Sequence, residues 1–218
     1  MNIKTSTVAQ IVLFAVAILY SLYMAAHLPD VVPTHWGING KPDAYGSKWI
    51  NLLIMPGVLL VLAGLTYVLP IISPQKFRMQ PFEETYGVVF FFVSLMMLAI
   101  HVVIVQASVN AGFDMNRVLM AVIFGFFAVI GNMMGRVKRN FFMGIRTPWT
   151  IADERVWHST HRFAARLWLV GGAAGAIAAL AGAPIWFSVA LLMGISFLPV
   201  FKSYVDYTRL PHDTSSTE

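Results

Sequence analysis

Six apolar runs fix most of what this chain can become: about Val8–Ala26, Ile50–Ile72, Val88–Ser108, Val118–Met134, Leu167–Ala183 and Ile185–Phe201. Crossing about 30 Å of hydrocarbon takes roughly 20 apolar residues in a helix. Lipid offers no partner to an open backbone group, so each run is expected to cross as an α-helix. The mean hydropathy of +0.71 and a charged fraction of 11% agree with that reading. Only Gly182-Ala183-Pro184 parts the last two runs. Pro184 lacks the N–H that would carry a helix through, so a tight reversal is expected there rather than one long rod. The expected fold is an all-α polytopic membrane protein. It has six transmembrane helices, an extracellular hairpin loop and a structured cytoplasmic loop, and forms one membrane domain over residues 1–218. Within it, 1–73 is a first helix pair carrying the outer hairpin 27–49. Residues 87–204 are a four-helix part carrying an inner connector, 135–166.

The first run ends in Met24-Ala25-Ala26, small residues of the kind that precede a signal cleavage site. Its apolar stretch is longer than a signal core, so it is read as a span. The chain has no cysteine, which excludes disulfides, thiolate metal sites and thiol catalysis. A net charge of +5 invites a nucleic-acid reading, but the distribution argues for orientation instead. With the N-terminus inside, only Lys41, Lys48 and Arg117 fall outside; the other Lys and Arg, including Lys76 and Arg78, fall inside. That bias places both termini in the cytoplasm. No direct nucleic-acid binding is expected.

Two polar, Pro- and Gly-anchored segments interrupt the apolar sequence, and these are the candidate working surfaces. In the outer one, Asn39-Gly40 signals a two-residue hairpin turn, because both residues tolerate positive φ. Pro29, Pro33 and Pro42 stiffen its flanks, and Trp36, Tyr45 and Trp49 suit the headgroup layer. The inner segment opens on a basic knot, Arg136, Lys138 and Arg139. Thr147-Pro148 then offers an N-cap followed by proline at the first helical position, and Thr150–Asp153 offers a second start. Either would launch a helix through Trp157, His161 and Arg162 toward the fifth span, with Trp157 and Phe163 facing lipid or bundle and the arginines meeting headgroups. In the fifth span Gly171 and Gly175 form a small-residue face, read as packing within the bundle. The tail Thr214–Glu218 is polar and expected to fray.

Glu154, His158 and His161 fall at i, i+4 and i+7, one helical stripe whose chemistry suits a divalent metal. Their order is not that of a metalloprotease helix, in which glutamate lies between the histidines. Interfacial hydrogen bonding is the plainer reading, and no metal or cofactor is expected. Within the spans, His101, Gln106 and Asn132 are polar and are expected to face the bundle interior. No Asp or Glu lies inside any run, which speaks against an ion pathway. Gly-rich phosphate loops, G-x-S-x-G elbows and paired intramembrane aspartates are also missing.

Both polar segments resemble the SdpI family of bacterial membrane proteins, named for immunity to a sporulation-delaying toxin peptide. The outer loop is similar to that family's N-terminal domain of unknown function in Leu28-Pro-Asp, Val32-Pro-Thr-His-Trp36 and Gly40-x-x-Asp43. The inner one is similar to its signature in Gly131-Asn-x-Met-Gly-Arg136, Lys138-x-Asn140-x-Phe142-x-Gly144-Ile-Arg-Thr-Pro-Trp-Thr150 and Glu154-x-x-Trp157-x-x-Thr160-His-Arg162. The resemblance implies a non-enzymatic protein of the bacterial plasma membrane. Such a protein guards against an extracellular membrane-active peptide and sequesters a cytoplasmic transcriptional repressor. Pro33, His35, Trp36, Gly40, Asp43 and Trp49 are then the candidates for peptide contact. Signalling candidates are Asn132, Arg136, Lys138, Asn140, Gly144, Arg146, Thr147, Pro148, Trp149, Glu154, Trp157, Thr160, His161 and Arg162. Two other classes stay open: a transporter or channel for a small molecule, lipid or peptide, and a metal-dependent intramembrane enzyme.

Overall fold

The computed structural model describes residues 1–72, 83–140 and 143–210. Lys76, Arg78, Phe142 and the tail Thr214–Glu218 lie outside them. The chain runs through α1 (Ile3–Ala25), β1 (Val31–Trp36), β2 (Pro42–Ser47), α2 (Lys48–Ile72), α3 (Glu83–Val109) and α4 (Met115–Met134). It continues through α5 (Pro148–Ala152), α6 (Glu154–Leu180) and α7 (Ile185–Thr208). All but α5 among these helices are long and apolar enough to cross a membrane, one for each apolar run. Several exceed their runs, because hydropathy marks the hydrocarbon whereas caps mark the helix. Asn2, Asp114 and Asp153 each accept a first-turn amide with a side-chain oxygen and so start α1, α4 and α6. The reversal at Gly182–Pro184 is present, with Gly182 at φ 84°.

Helices α1, α2 and α3 pack as one group and α4, α6 and α7 as another, and α3 against α4 joins them. The first group is tied by buried polar side chains. Gln10, wholly buried, accepts from Thr66 Oγ1 at 3.0 Å and Ser94 Oγ at 3.1 Å and donates to Ser6 Oγ at 3.0 Å. Ser6 passes its proton to the Gly87 carbonyl at 2.6 Å. Higher up, Ser21 Oγ donates to the Leu52 carbonyl at 2.6 Å, so His101 Nε2, 2.9 Å away, must donate to Ser21. Such bonds are worth only about 0.6 kcal/mol each on average in membranes. Leaving one open costs several kcal/mol, so they fix register more than they add stability.

The second group is tied by close backbone approach. A Cβ on Gly131 of α4 would lie 2.4 Å from the Leu169 amide, and one on Gly172 of α6 would lie 2.5 Å from the Ala128 amide. The expected Gly171–Gly175 face is therefore divided. Gly175 meets the Phe124 ring of α4, whereas Gly171 meets Ile195 of α7. A helix turns about 100° per residue, so the neighbour Gly172 completes the α4 face instead. One polar expectation also fails. His101 is buried and Gln106 reaches Tyr20 Oη at 3.0 Å, but Asn132 is exposed, at the flank of the α4 face that meets α6 through Ala128 and Gly131.

Gly172→Ala is expected to cost at least ~2 kcal/mol by overpacking, read as a lower melting temperature of the purified protein in detergent. Gly57→Ala, where nothing lies within 4 Å, is the control and should melt with the wild type.

Candidate functional site

The two polar segments sit at opposite ends of the bundle. At one end β1 and β2 pair antiparallel from Val31 with Ser47 to Trp36 with Pro42, irregular between Pro33 and Trp36. The Asn39-Gly40 signal marks a hairpin but not the two-residue turn. The Gly40 amide donates to Gly37 O and the Gly37 amide to Lys41 O, both at 2.9 Å, closing a three-residue loop. Of the two, Gly40 alone takes positive φ, 73°, and Asn39 does not, so one left-handed residue suffices.

Three polar anchors missed from sequence hold the hairpin down. Asn51 Nδ2 donates to Pro33 O at 2.7 Å and to Ser108 Oγ at 2.9 Å. Asn116 Nδ2 donates to Ile38 O at 2.9 Å, and Gly40 sits directly against the same amide. Lys48 Nζ donates to Ala25 O and Leu28 O and pairs with Asp30 at 3.1 Å. Each anchor lies beside a turn or helix end, where loose backbone carbonyls gather, and that is the only sequence signal they give. Buried Val32 packs with Met24, Leu28, Leu52 and Val105. Trp36 is half-buried against the cluster of Val103, Ala107 and Met115, an anchor rather than an exposed contact. The opposite face carries His35, whose Nδ1 lies 2.5 Å from Asp43 Oδ1, and both side chains are mostly exposed. Tyr45 and Trp49 are exposed beside them.

At the other end, the connector folds back onto the first turns of α6. Buried Asn140 accepts the Met143 amide at 2.8 Å and donates to Lys138 O at 2.8 Å. Gly144 follows at φ 103°, where a Cβ would lie 2.5 Å from His161 Nε2 and within 3.4 Å of the Trp157 ring; glycine is required on both counts. Thr147 and Thr150 form a reciprocal capping box that starts α5 at Pro148, and Thr147 Oγ1 reaches Ser203 Oγ of α7 at 3.0 Å. Of the two expected starts only Thr147-Pro148 is used: Thr150 closes the Thr147 box inside α5, α5 ends at Ala152, and Asp153 rather than Thr150 caps the next helix. The Arg155 guanidinium bonded to Asp153 holds that carboxyl below the usual carboxylate range.

Trp157 is the centre of this end. Wholly buried, it stacks on His161 with centroids 4.1 Å apart, and its Nε1 donates to Val137 O at 2.8 Å. His161 Nδ1 donates to Trp157 O at 2.8 Å, and Nε2 accepts the Ile145 amide at 3.0 Å. Both ring nitrogens are thereby used, on a neutral Nδ1–H tautomer. The predicted Glu154, His158, His161 stripe is broken: Glu154 and His158 are exposed, 3.5 Å apart, while His161 faces inward. No group of three metal-ligating side chains occurs among the described residues.

The signature residues therefore divide. Asn140, Gly144, Thr147, Trp157, Thr160 and His161 build the connector, and Trp149 packs on Tyr204. Asn132, Arg136, Lys138, Arg146, Pro148, Glu154 and Arg162 are exposed.

Six apolar helices, a docked β-hairpin at one end and a knotted connector at the other define a multi-pass membrane protein. Residues 136–203 match the SdpI/YfhL protein family, and residues 12–60 match a domain of unknown function, DUF1648. The immunity protein SdpI of Bacillus subtilis is 30% identical over 166 residues, spanning 76% of this chain and 77% of that one. The chain belongs to the SdpI/YfhL family. An uncharacterised protein of Archaeoglobus fulgidus is 34% identical over 83 residues, 34% of this chain and 45% of its own length. No solved structure matches.

Gly144→Ala is expected to destabilise the connector by about 1–3 kcal/mol, read as faster proteolytic cutting between α4 and α6. Glu154→Gln and His158→Gln should stay within about 0.5 kcal/mol of wild type.

Proposed function

We propose that this protein is a non-enzymatic immunity and signalling protein of a bacterial plasma membrane, with both termini in the cytoplasm and the hairpin outside. It guards the cell against an extracellular membrane-active toxin peptide. The observation that carries this reading is its kinship with the immunity protein SdpI across both polar segments.

The geometry suits a receptor. The hairpin is fixed to α2, α3 and α4 by the Asn51 and Asn116 hydrogen bonds, while His35, Asp43, Tyr45 and Trp49 stay exposed at the depth where an amphipathic peptide lies. A peptide seated there bears on α2 and α4 through Asn51 and Asn116. Because α4 is locked to α6 by backbone contact, a tilt of α4 reaches the connector, whose exposed Arg136, Lys138 and Arg162 form a surface for a cytoplasmic repressor. Such coupling requires the peptide to bind one packing state more tightly than another.

Expression in a sensitive bacterium challenged with a sporulation-delaying toxin peptide should restore growth. His35→Ala and Trp49→Ala should each reduce survival toward that of cells lacking the protein, at unchanged membrane abundance. Full protection by both variants would refute the hairpin's role. Peptide-dependent flux in proteoliposomes, lost in His101→Ala, would favour transport instead.

A further inference from the structure

Beneath the hairpin tip, where α4 begins and α6 turns into α7, lies a cavity of about 220 Å³. That is several times the ~30 Å³ share of one liquid water, room for an ion of several heavy atoms. Asn39, Asp114, Asn116, Arg117, Ile185 and Ser188 supply most of its chemistry.

Several independent features of the wall favour negative charge. Helix α7 starts at Pro184 without a side-chain cap. Phe187 and Ser188 amides turn back to Pro184 O, but those of Ile185 and Trp186 have no acceptor among the described residues. The first turn of a 24-residue helix thus presents open donors at its positive end. Arg117 bonds the Leu180 carbonyl through one guanidinium nitrogen and pairs with no carboxylate among the described residues. Its remaining donors are left for the cavity. Ser188 is only 2% exposed, faces the cavity, and its hydroxyl meets no hydrogen-bond partner among the described residues. Its hydroxyl opens onto the cavity, where it can donate to or accept from a group held there.

One group opposes. Asp114 also lines the cavity, with one oxygen taken by the Arg117 amide it caps. Its charge offsets part of the positive potential, which favours a monoanion over a dianion. Exposed Trp186, Trp49 and Tyr45 ring this end of the bundle, and such side chains settle in the headgroup layer. The group most abundant at that depth is the phosphodiester of a phospholipid, a monoanion.

We infer that the Arg117–Ser188 cavity binds a singly charged phosphate group, supplied by a phospholipid headgroup. Bound there, the headgroup bridges the hairpin, α4 and α7. The site stands on its own residues and does not depend on toxin recognition.

The test uses the full chain purified in detergent, with binding read by native mass spectrometry and by melting temperature. Short-chain phosphatidylglycerol should bind at one site and raise the melting temperature, while phosphatidylcholine of equal chain length and inorganic phosphate serve as separate arms. Arg117→Gln should bind at least about tenfold more weakly, the loss expected for a hydrogen bond to a charged group. Ser188→Ala breaks no hydrogen bond of the protein, so it should fold normally and still bind more weakly. If inorganic phosphate alone binds and both variants lose it, the phosphate site stands and the lipid source is wrong. Equal binding by wild type and both variants, or no binding in any arm, overturns the proposal.

Discussion

Inside a lipid-embedded bundle no water completes an open hydrogen bond, so buried polar side chains are drawn toward partners within the protein. That constraint shapes both ends and the middle of this chain. It brings Gln10, Thr66 and Ser94 together from three helices and seats Ser21 between Leu52 and His101. It also makes the connector spend both nitrogens of His161, the indole of Trp157 and the amide of Asn140 on its own backbone.

The two groups of helices meet the same constraint by different means. In α1–α3, buried polar side chains supply the specificity. In α4, α6 and α7, glycines let backbones touch, and dispersion over that close contact replaces polar specificity. The hairpin rests on α2, α3 and α4 and the connector on α6, with the α3–α4 contact joining the two groups. That is a reasonable architecture for passing a disturbance from one end to the other, as the proposed function requires.

Much of the fold was legible, since apolar length, Pro184 and the Thr147 cap each act through local chemistry. The working surfaces were legible only in outline. Trp36 and Trp49 read alike as interfacial aromatics, yet one is half-buried under the hairpin and the other is exposed. Glu154, His158 and His161 share a helical stripe, yet the connector covers one of them and leaves the other two in the open. Asn51, Asn116 and Lys48 gave no pattern, because their partners are backbone carbonyls far along the chain.

The sequence by itself determined that the chain crosses a membrane six times, that its hairpin and connector fall at opposite ends, and where the last two spans reverse. These follow from hydrocarbon thickness and from short-range hydrogen bonds, which neighbouring residues settle alone. Only the tertiary structure decided which signature residues face inward, that Gly172 rather than Gly171 meets α4, and that Ser188 and Arg117 share a cavity. Those outcomes depend on helix rotation and on contacts between residues dozens of positions apart, and no local pattern encodes either one.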